Sequence, residues 1–423
     1  MSTTPSRGAF IAALLFTTIL ASGTARAQTE PAADSITALE NRIEAMQKEL
    51  DALRAELDAL KGSEPEPAAP EPEDLMAIEP LTPAEAPPPA EALGAPVVSA
   101  APPRTGNLFN PAIAVVGHVV GHAGDENPHE PRDPIAFDEA EIALEAAVDP
   151  YAKAKFFIAV GEEEVELEEG YAQFVALPWD LTAKAGKLKA SFGKFNLLHA
   201  HNWSWADAPL VHRTFFGEEG LADAGVSASR LISNPWDVFL EATAEVYRGS
   251  VEDVFEPAER SDLLWVGHLR SYRDLSDAAN LELGGSFASG GLAGGGRNEF
   301  TGVDLTYRWR PPARSIYRSL LARTELIWND RDDVGENALG LYASADYQFA
   351  RRWTGGIRLD RVERPEDPSL VDRGGALTLT FRPSEFSQIR GELRRTDYAD
   401  GIDALELLLQ LQFSIGAHAA HPF

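Results

Sequence analysis

The chain has 423 residues, with 66 acidic against 37 basic side chains and no cysteine. A formal charge of −29 excludes a nucleic-acid binder, which needs a basic face, and the lack of cysteine excludes disulfides, thiolate metal sites and a cysteine nucleophile. No unbroken apolar run reaches the ~20 residues of a membrane helix, which leaves a soluble acidic protein or a barrel that spans with short alternating strands.

Residues 1–27 have the layout of a secretory signal. Arg7 supplies the positive start, Ala9 to Ala21 (AFIAALLFTTILA) the apolar stretch, and Ala25-Arg26-Ala27 a small-x-small cleavage site. Export is therefore expected, without lipidation. Residues 28–61 hold a strict heptad: Ile36, Ile43, Leu50 and Leu57 at a, and Leu39, Met46, Leu53 and Leu60 at d. Such a seam predicts a self-associating periplasmic coiled coil of open strand number, a single amphipathic helix being the alternative. Residues 62–105 are rich in Pro, Ala and Glu, with 12 prolines in 44 positions. At ~3.1 Å per residue this linker would reach on the order of 130 Å.

From Gly106 to Phe423 the pattern is two-residue alternation punctuated by turns. Leu405, Leu407, Leu409, Leu411, Phe413 and Ile415 share one face; Glu406, Gln410, Gln412 and Ser414 share the other, and Leu408 breaks the rule. Val303, Leu305, Tyr307 and Trp309 likewise oppose Asp304, Thr306, Arg308 and Arg310, and Trp236 to Val246 alternate in the same way. Period two fits a soluble sandwich as well as a barrel. Strands of about ten residues, aromatics near strand ends (Trp309, Trp328, Phe349, Trp353, Phe381) and the export signal favour the barrel. The expected fold is all-β: an antiparallel transmembrane β-barrel of about 16 strands over 106–423, the first near 110–119, the seventh near 236–248 and the last near 403–415. A 22-stranded barrel with a folded plug does not fit the length.

One stretch, 191–220 (SFGKFNLLHAHNWSWADAPLVHRTFFGEEG), carries no sustained alternation. A loop this long is functional or disordered, and its aromatic content argues against disorder. His199, His201, Trp203, Trp205, Asp207, His212 and Arg213 are its candidate constriction residues. Three roles are open: packing on the barrel wall, facing the solute (Trp203 and Trp205 as a sugar-stacking pair), or holding a divalent metal. For the metal, zinc on His199 and His201, with Asp207 or His212 completing the shell, is the expected chemistry. His118/His122 and His418/His421 are further short-spaced pairs. The acidic run 161–170 reads as a solvated edge or a cation-attracting mouth. Arg308, Arg310, Arg358, Arg390 and Arg394 are expected to face water opposite Asp304, Asp346, Asp360, Glu392 and Glu406, as facing rows across an eyelet. Residues 106–423 hold 50 acidic and 30 basic groups, a formal −20, so a cation bias is expected.

The segments NLFNPAIAVV, VDPYAKAKFFIAVGEEEVELEEGYAQFVALP, KAGKLKASFGKFNLLHAHNWSWADAPLV and FSIGAHAAHPF resemble porin-like proteins related to the phosphate-selective porins, among them a subgroup labelled zinc-regulated outer-membrane receptors or porins. The resemblance covers about 106–423. It implies a sixteen-stranded, often trimeric channel, with a long loop after the fifth strand that folds inward and narrows the pore. Phosphate specificity would need a basic eyelet, and the loop offers only Lys194 and Arg213. No nucleophile elbow, phosphate loop or HExxH motif occurs, so no enzyme is expected. The expectation is a passive outer-membrane channel for small hydrophilic solutes or ions, homotrimeric, embedded in lipid, with its coiled coil in the periplasm near peptidoglycan. A structural tether to the cell wall and a zinc-acquisition barrel are the alternatives.

Overall fold

The computed structural model describes Lys48 and residues 111–162, 164–236 and 238–416. The expected signal peptide and linker, the expected coiled coil apart from Lys48, the His418/His421 pair and Phe423 lie outside these residues.

Sixteen strands follow one another: β1 Ala112–Gly124, β2 Ile135–Asp149, β3 Ala152–Val160, β4 Val165–Leu177, β5 Leu181–Lys189, β6 Ala222–Leu231, β7 Phe239–Tyr247 and β8 Leu264–Ser276 form the first half. The second half is β9 Ala279–Gly291, β10 Arg297–Trp309, β11 Ser319–Arg331, β12 Asn337–Ala350, β13 Trp353–Arg364, β14 Asp367–Ser384, β15 Ser387–Asp397 and β16 Asp403–Gly416. Each pairs antiparallel with its sequence neighbours, and β1 pairs with β16 from Ala114↔Gly416 to Gly124↔Glu406. The closed ring leaves no open strand edge among the described residues.

The alternation read from the sequence sorts the two faces. Leu405, Leu407, Leu409, Leu411, Phe413 and Ile415 are exposed outside, while Ala404, Glu406, Leu408 and Gln410 are buried inside. Leu359, Leu377, Leu379, Ile389 and Leu393 continue the outer apolar belt. Aromatics cluster where the belt meets the short-turn rim: Trp179, Trp236, Phe349, Trp353 and Phe386 are exposed, and Trp353 packs on Phe381. A greasy outside over a polar inside is the reverse of a soluble barrel and is stable when acyl chains cover it. The seventh strand begins later than its alternation suggests. Trp236 lies in the turn before β7, where Asn234 Oδ1 accepts hydrogen bonds from Trp236 N (3.2 Å) and Val238 N (3.4 Å) and ends the pairing. Arg310 likewise lies beyond β10, its Nε donating to the Ser315 carbonyl at 3.2 Å.

Candidate functional site

Between β5 and β6 the chain leaves the wall and folds into the lumen. The segment is pinched at its base: Ala190 N donates to Leu221 O (2.7 Å), and Asn196 Nδ2 donates to Ala190 O (2.8 Å) and Leu221 O (3.0 Å). Its one α-helix, α1 (Leu210–Phe216), starts after Pro209, whose ring pre-sets the entry, and stops at Gly217, which adopts φ +74°.

The inward segment reaches opposite walls. β3 and β11 stand eight strands apart in a ring of sixteen, so they face each other across the lumen. On the β11 side Glu325 accepts from Lys194 N (3.0 Å) and Phe195 N (2.6 Å), and its carboxylate lies 2.9 Å from His212 Nε2. Next to it Lys194 Nζ donates to Glu282 of β9 at 2.9 Å. Burial lowers the Lys194 pKa, and Glu282 offsets only part of that effect. On the far side, flanking β3, His199 and His201 meet Glu141 of β2 and Glu168 and Glu169 of β4. The segment therefore crosses the lumen.

A third anchor lies toward β13–β16. Asp207, 3% exposed, takes Arg358 Nη2 of β13 at 2.8 Å, a shorter bond from Arg394 of β15, and Arg213 at 3.6 Å. Burial pushes its carboxyl upward, but the guanidinium groups of Arg358, Arg394 and Arg213 outweigh this and hold it well below the usual 3.8. The arginines have further partners: Arg358 Nε donates to Asp360 (2.7 Å), Arg394 Nη2 to Glu406 (2.6 Å), and Arg213 pairs with Glu130 of the β1–β2 connection. Arg390 donates to the carbonyls of Trp205 (2.5 Å) and Trp203 (2.7 Å), while Glu392 accepts from Ala206 N (2.7 Å). Arg358, Asp360, Arg390, Glu392 and Arg394, expected as facing rows of an eyelet, are instead buried partners of the inward segment, and Glu406 is buried against Arg394.

Apolar contact adds to these latches. Phe192, Val211, Phe215 and Phe216 pack on Phe300 of β10, Ile327 of β11, Tyr342 of β12 and Val362 of β13, and Val251, Val254 and Phe255 of the 248–263 connection join the cluster. At about 1.5–3 kcal/mol per buried side chain, four such groups contribute on the order of 6–12 kcal/mol to docking. Room for α1 comes from Gly340 of β12, where a Cβ would lie 2.3 Å from Val211 Cγ2. Leu408, the residue that breaks the β16 pattern, packs under Ala206 beside Val120.

The tryptophans part company. Trp205 is buried with the Arg358 guanidinium 5.1 Å from its ring, whereas half-buried Trp203 packs on Phe195. His199 and His201 lie together, ring centroids 5.9 Å apart, but Asp207 and His212 are elsewhere, held by the arginines and Glu325. The carboxylates beside the histidine pair are Glu141, Glu168 and Glu169. Burial opposes charge on His199, yet these three outweigh it and hold its pKa well above 6.5. Sequence reasoning missed them as site residues, although two belong to the acidic run 161–170. His118 and His122 face the lumen separately: His118 is fully buried with Nδ1 3.8 Å from Glu139, and His122 Nε2 lies 3.3 Å from Glu406.

Asp304 and Asp346 face the lumen and are mostly buried, each with one unpartnered carboxylate oxygen. Toward the short-turn rim the lumen is lined by basic groups: Lys155, Lys184, Arg270, Arg308, Arg323 and Arg382 sit at inward register positions and are partly or fully open to water. Acidic residues crowd the opposite rim, among them Asp125, Glu162, Glu252, Asp333, Glu366 and Asp400.

No family model matches the chain. A protein of Aquifex aeolicus (strain VF5), described as uncharacterized, is 31% identical over 351 residues, covering 72% of this chain and 73% of that one. The two belong to one family. Among solved structures, OprB of Pseudomonas putida is similar at TM-score 0.52 and 12% identity, covering 73% of this chain and 94% of its own. An anion-selective porin from Comamonas acidovorans has TM-score 0.50 and 10% identity, covering 72% of this chain and 98% of its own. A loop L8 deletion mutant of OmpT, an outer-membrane protein of Vibrio cholerae, has TM-score 0.50 and 9% identity, covering 73% and 100%. At these identities the likeness is one of fold: the described barrel is of the porin type.

Proposed function

We propose that the protein is an outer-membrane channel for passive diffusion of small hydrophilic solutes or ions, narrowed by its own 190–221 segment. The observation that carries this reading is that segment, folded inside a sixteen-stranded barrel with an apolar exterior and tied to opposite walls. The porin-type fold of OprB and of the Comamonas acidovorans porin supports it. The acidic rim raises the local cation concentration at that mouth, so entry is biased toward cations. Assembly as a homotrimer fits the heptad of residues 36–60, with the N-terminal segment in the periplasm beside peptidoglycan.

A second reading rests on the basic half of the lumen. If Lys184, Arg270, Arg308 and Arg323 govern permeation, the channel prefers anions, in keeping with the resemblance to phosphate-selective porins. Reversal potentials of single channels in a KCl gradient separate the two. A potential of cation sign supports control by the acidic rim; anion sign supports the basic lumen; an insulating, correctly folded barrel overturns both.

A further inference from the structure

The histidine–carboxylate cluster has the make-up of a metal site. Glu141, Glu168 and His199 each present one ligand atom, and these atoms all lie within 4.8 Å of one another. His199 Nδ1 is 2.9 Å from Glu168 Oε2 and 3.3 Å from Glu141 Oε2, and His201 Nδ1 is 2.9 Å from that same Glu141 oxygen. A tetrahedral ion with bonds of ~2.0–2.1 Å holds its donors about 3.3 Å apart. Small movements would therefore bring the atoms of Glu141, Glu168 and His199 onto one ion, while His201 Nδ1 stands beside the same Glu141 oxygen outside that trio.

Three further observations point the same way. First, the other nitrogen of His199, Nε2, lies 3.0 Å from Glu169 Oε2. A carboxylate behind a ligating imidazole fixes the tautomer and aims the free nitrogen at the metal. Second, Glu168 is the extra residue of a β-bulge: Phe157 pairs with Glu169 and Ile158 with Leu167, so Glu168 has no partner on β3. The bulge lets two consecutive glutamates reach one cluster, which a regular strand forbids. Third, His118 at the edge of the group is 1% exposed, and neither of its ring nitrogens has a hydrogen-bond partner. The carboxylates of Glu139, Glu141, Glu168 and Glu169 have Lys189 as the nearby lysine, its Nζ 3.8 Å from Glu168. That leaves an excess of negative charge in a buried place.

We propose that Glu141, Glu168 and His199 bind a divalent transition-metal ion of the Zn²⁺ class, which fastens the lumen segment to β2 and β4. An imidazole with two carboxylates suits Zn²⁺ and its neighbours, while Ca²⁺ and Mg²⁺ take oxygen shells. Three protein donors leave the fourth tetrahedral position to water, with Glu169 as the positioning residue behind His199. The proposal stands apart from the channel reading, because binding is measured without conductance.

The test uses the full chain without an affinity tag, folded in detergent and stripped with EDTA. Co²⁺ serves as the spectroscopic probe and Zn²⁺ as the calorimetric one. One equivalent is expected, with the intense visible bands of four-coordinate Co²⁺, displaced by Zn²⁺. His199→Gln and Glu141→Gln should each weaken Zn²⁺ binding at least 100-fold. Glu169→Gln should weaken it by about 10–100-fold with the Co²⁺ bands retained. His122→Gln should change nothing. Heat-modifiable mobility on gels confirms that each variant is folded. Were a variant to unfold, the wild-type stoichiometry and Co²⁺ spectrum still decide. No binding to the folded wild-type chain overturns the proposal. So does binding that survives His199→Gln combined with Glu141→Gln, or binding that disappears when His418 and His421 are replaced. Equal affinity for Ca²⁺ without four-coordinate Co²⁺ bands overturns the metal class.

Discussion

Asp207→Asn is the sharpest perturbation of the lumen segment, because it removes one charge and almost no volume. Asp207 binds Arg358 at 2.8 Å and Arg394 more closely still, with 3% of its surface exposed. Breaking a buried ion pair costs ~3–5 kcal/mol, most of it from the charge left alone. Here neither arginine is orphaned, since Asp360 lies 2.7 Å from Arg358 and Glu406 2.6 Å from Arg394. The lower end, about 3 kcal/mol, is therefore expected, equivalent to about a hundredfold shift between docked and released 203–209. The apolar cluster around α1 is untouched, so the segment loosens locally and stays in the lumen. Single-channel recording should show a quiet wild type and a flickering variant with larger open substates. A built-in control uses the absence of native cysteine. A Cβ at Gly340 would lie 3.1 Å from Val211 Cβ, close to the ~3.5–4.5 Å of a disulfide. Oxidising Val211→Cys with Gly340→Cys in the Asp207→Asn background should dampen the flicker, and reduction should restore it. Asp397→Asn, which breaks an exposed pair with Arg395, should change nothing. Unchanged noise and step size in a folded Asp207→Asn protein would refute the reasoning.

The latch also sets an acid limit. The Asp207 and Glu130 pKa values are both lowered on folding. A lowered carboxylate stabilises fully above its unfolded value, and the contribution is lost as pH falls through the folded one. Recordings should therefore stay quiet down to about pH 4 and become noisy only in stronger acid, where Asp207 is protonated. Gly340→Leu drives a side chain into Val211 and Phe215, at a cost of about 1–3 kcal/mol. Its recordings should show larger steps while the barrel stays closed on gels. On β16 the two faces should answer differently. Leu408→Ala, under Ala206, should cost ~2–5 kcal/mol, and Leu409→Arg, on the outside, about 2–4 kcal/mol in a bilayer, both read by urea unfolding.

Much of the barrel was legible because side-chain period two is a local property. β16 and β10 can be read residue by residue, and the count of sixteen followed from the spacing of turns. Edges were less legible: Trp236 keeps the alternation but sits in a turn whose hydrogen bonds to Asn234 end the strand. The break at 191–220 marks where the chain leaves the wall, but not which wall receives it. Glu325, Glu282 and Glu141 look like any other lumen carboxylate in the sequence. They become partners of Phe195, Lys194 and His201 only when strands eight places apart face each other. Leu408 was the one local trace of docking, an apolar residue on a polar face.

The most direct test of the account replaces residues 192–219 by a short Gly/Ser link in the full chain and compares conductance in planar bilayers. The segment spans the lumen, so small steps are predicted for the wild type and steps several times larger for the shortened chain, at equal heat-modifiability. Equal steps, or an insulating barrel in both proteins, would contradict it.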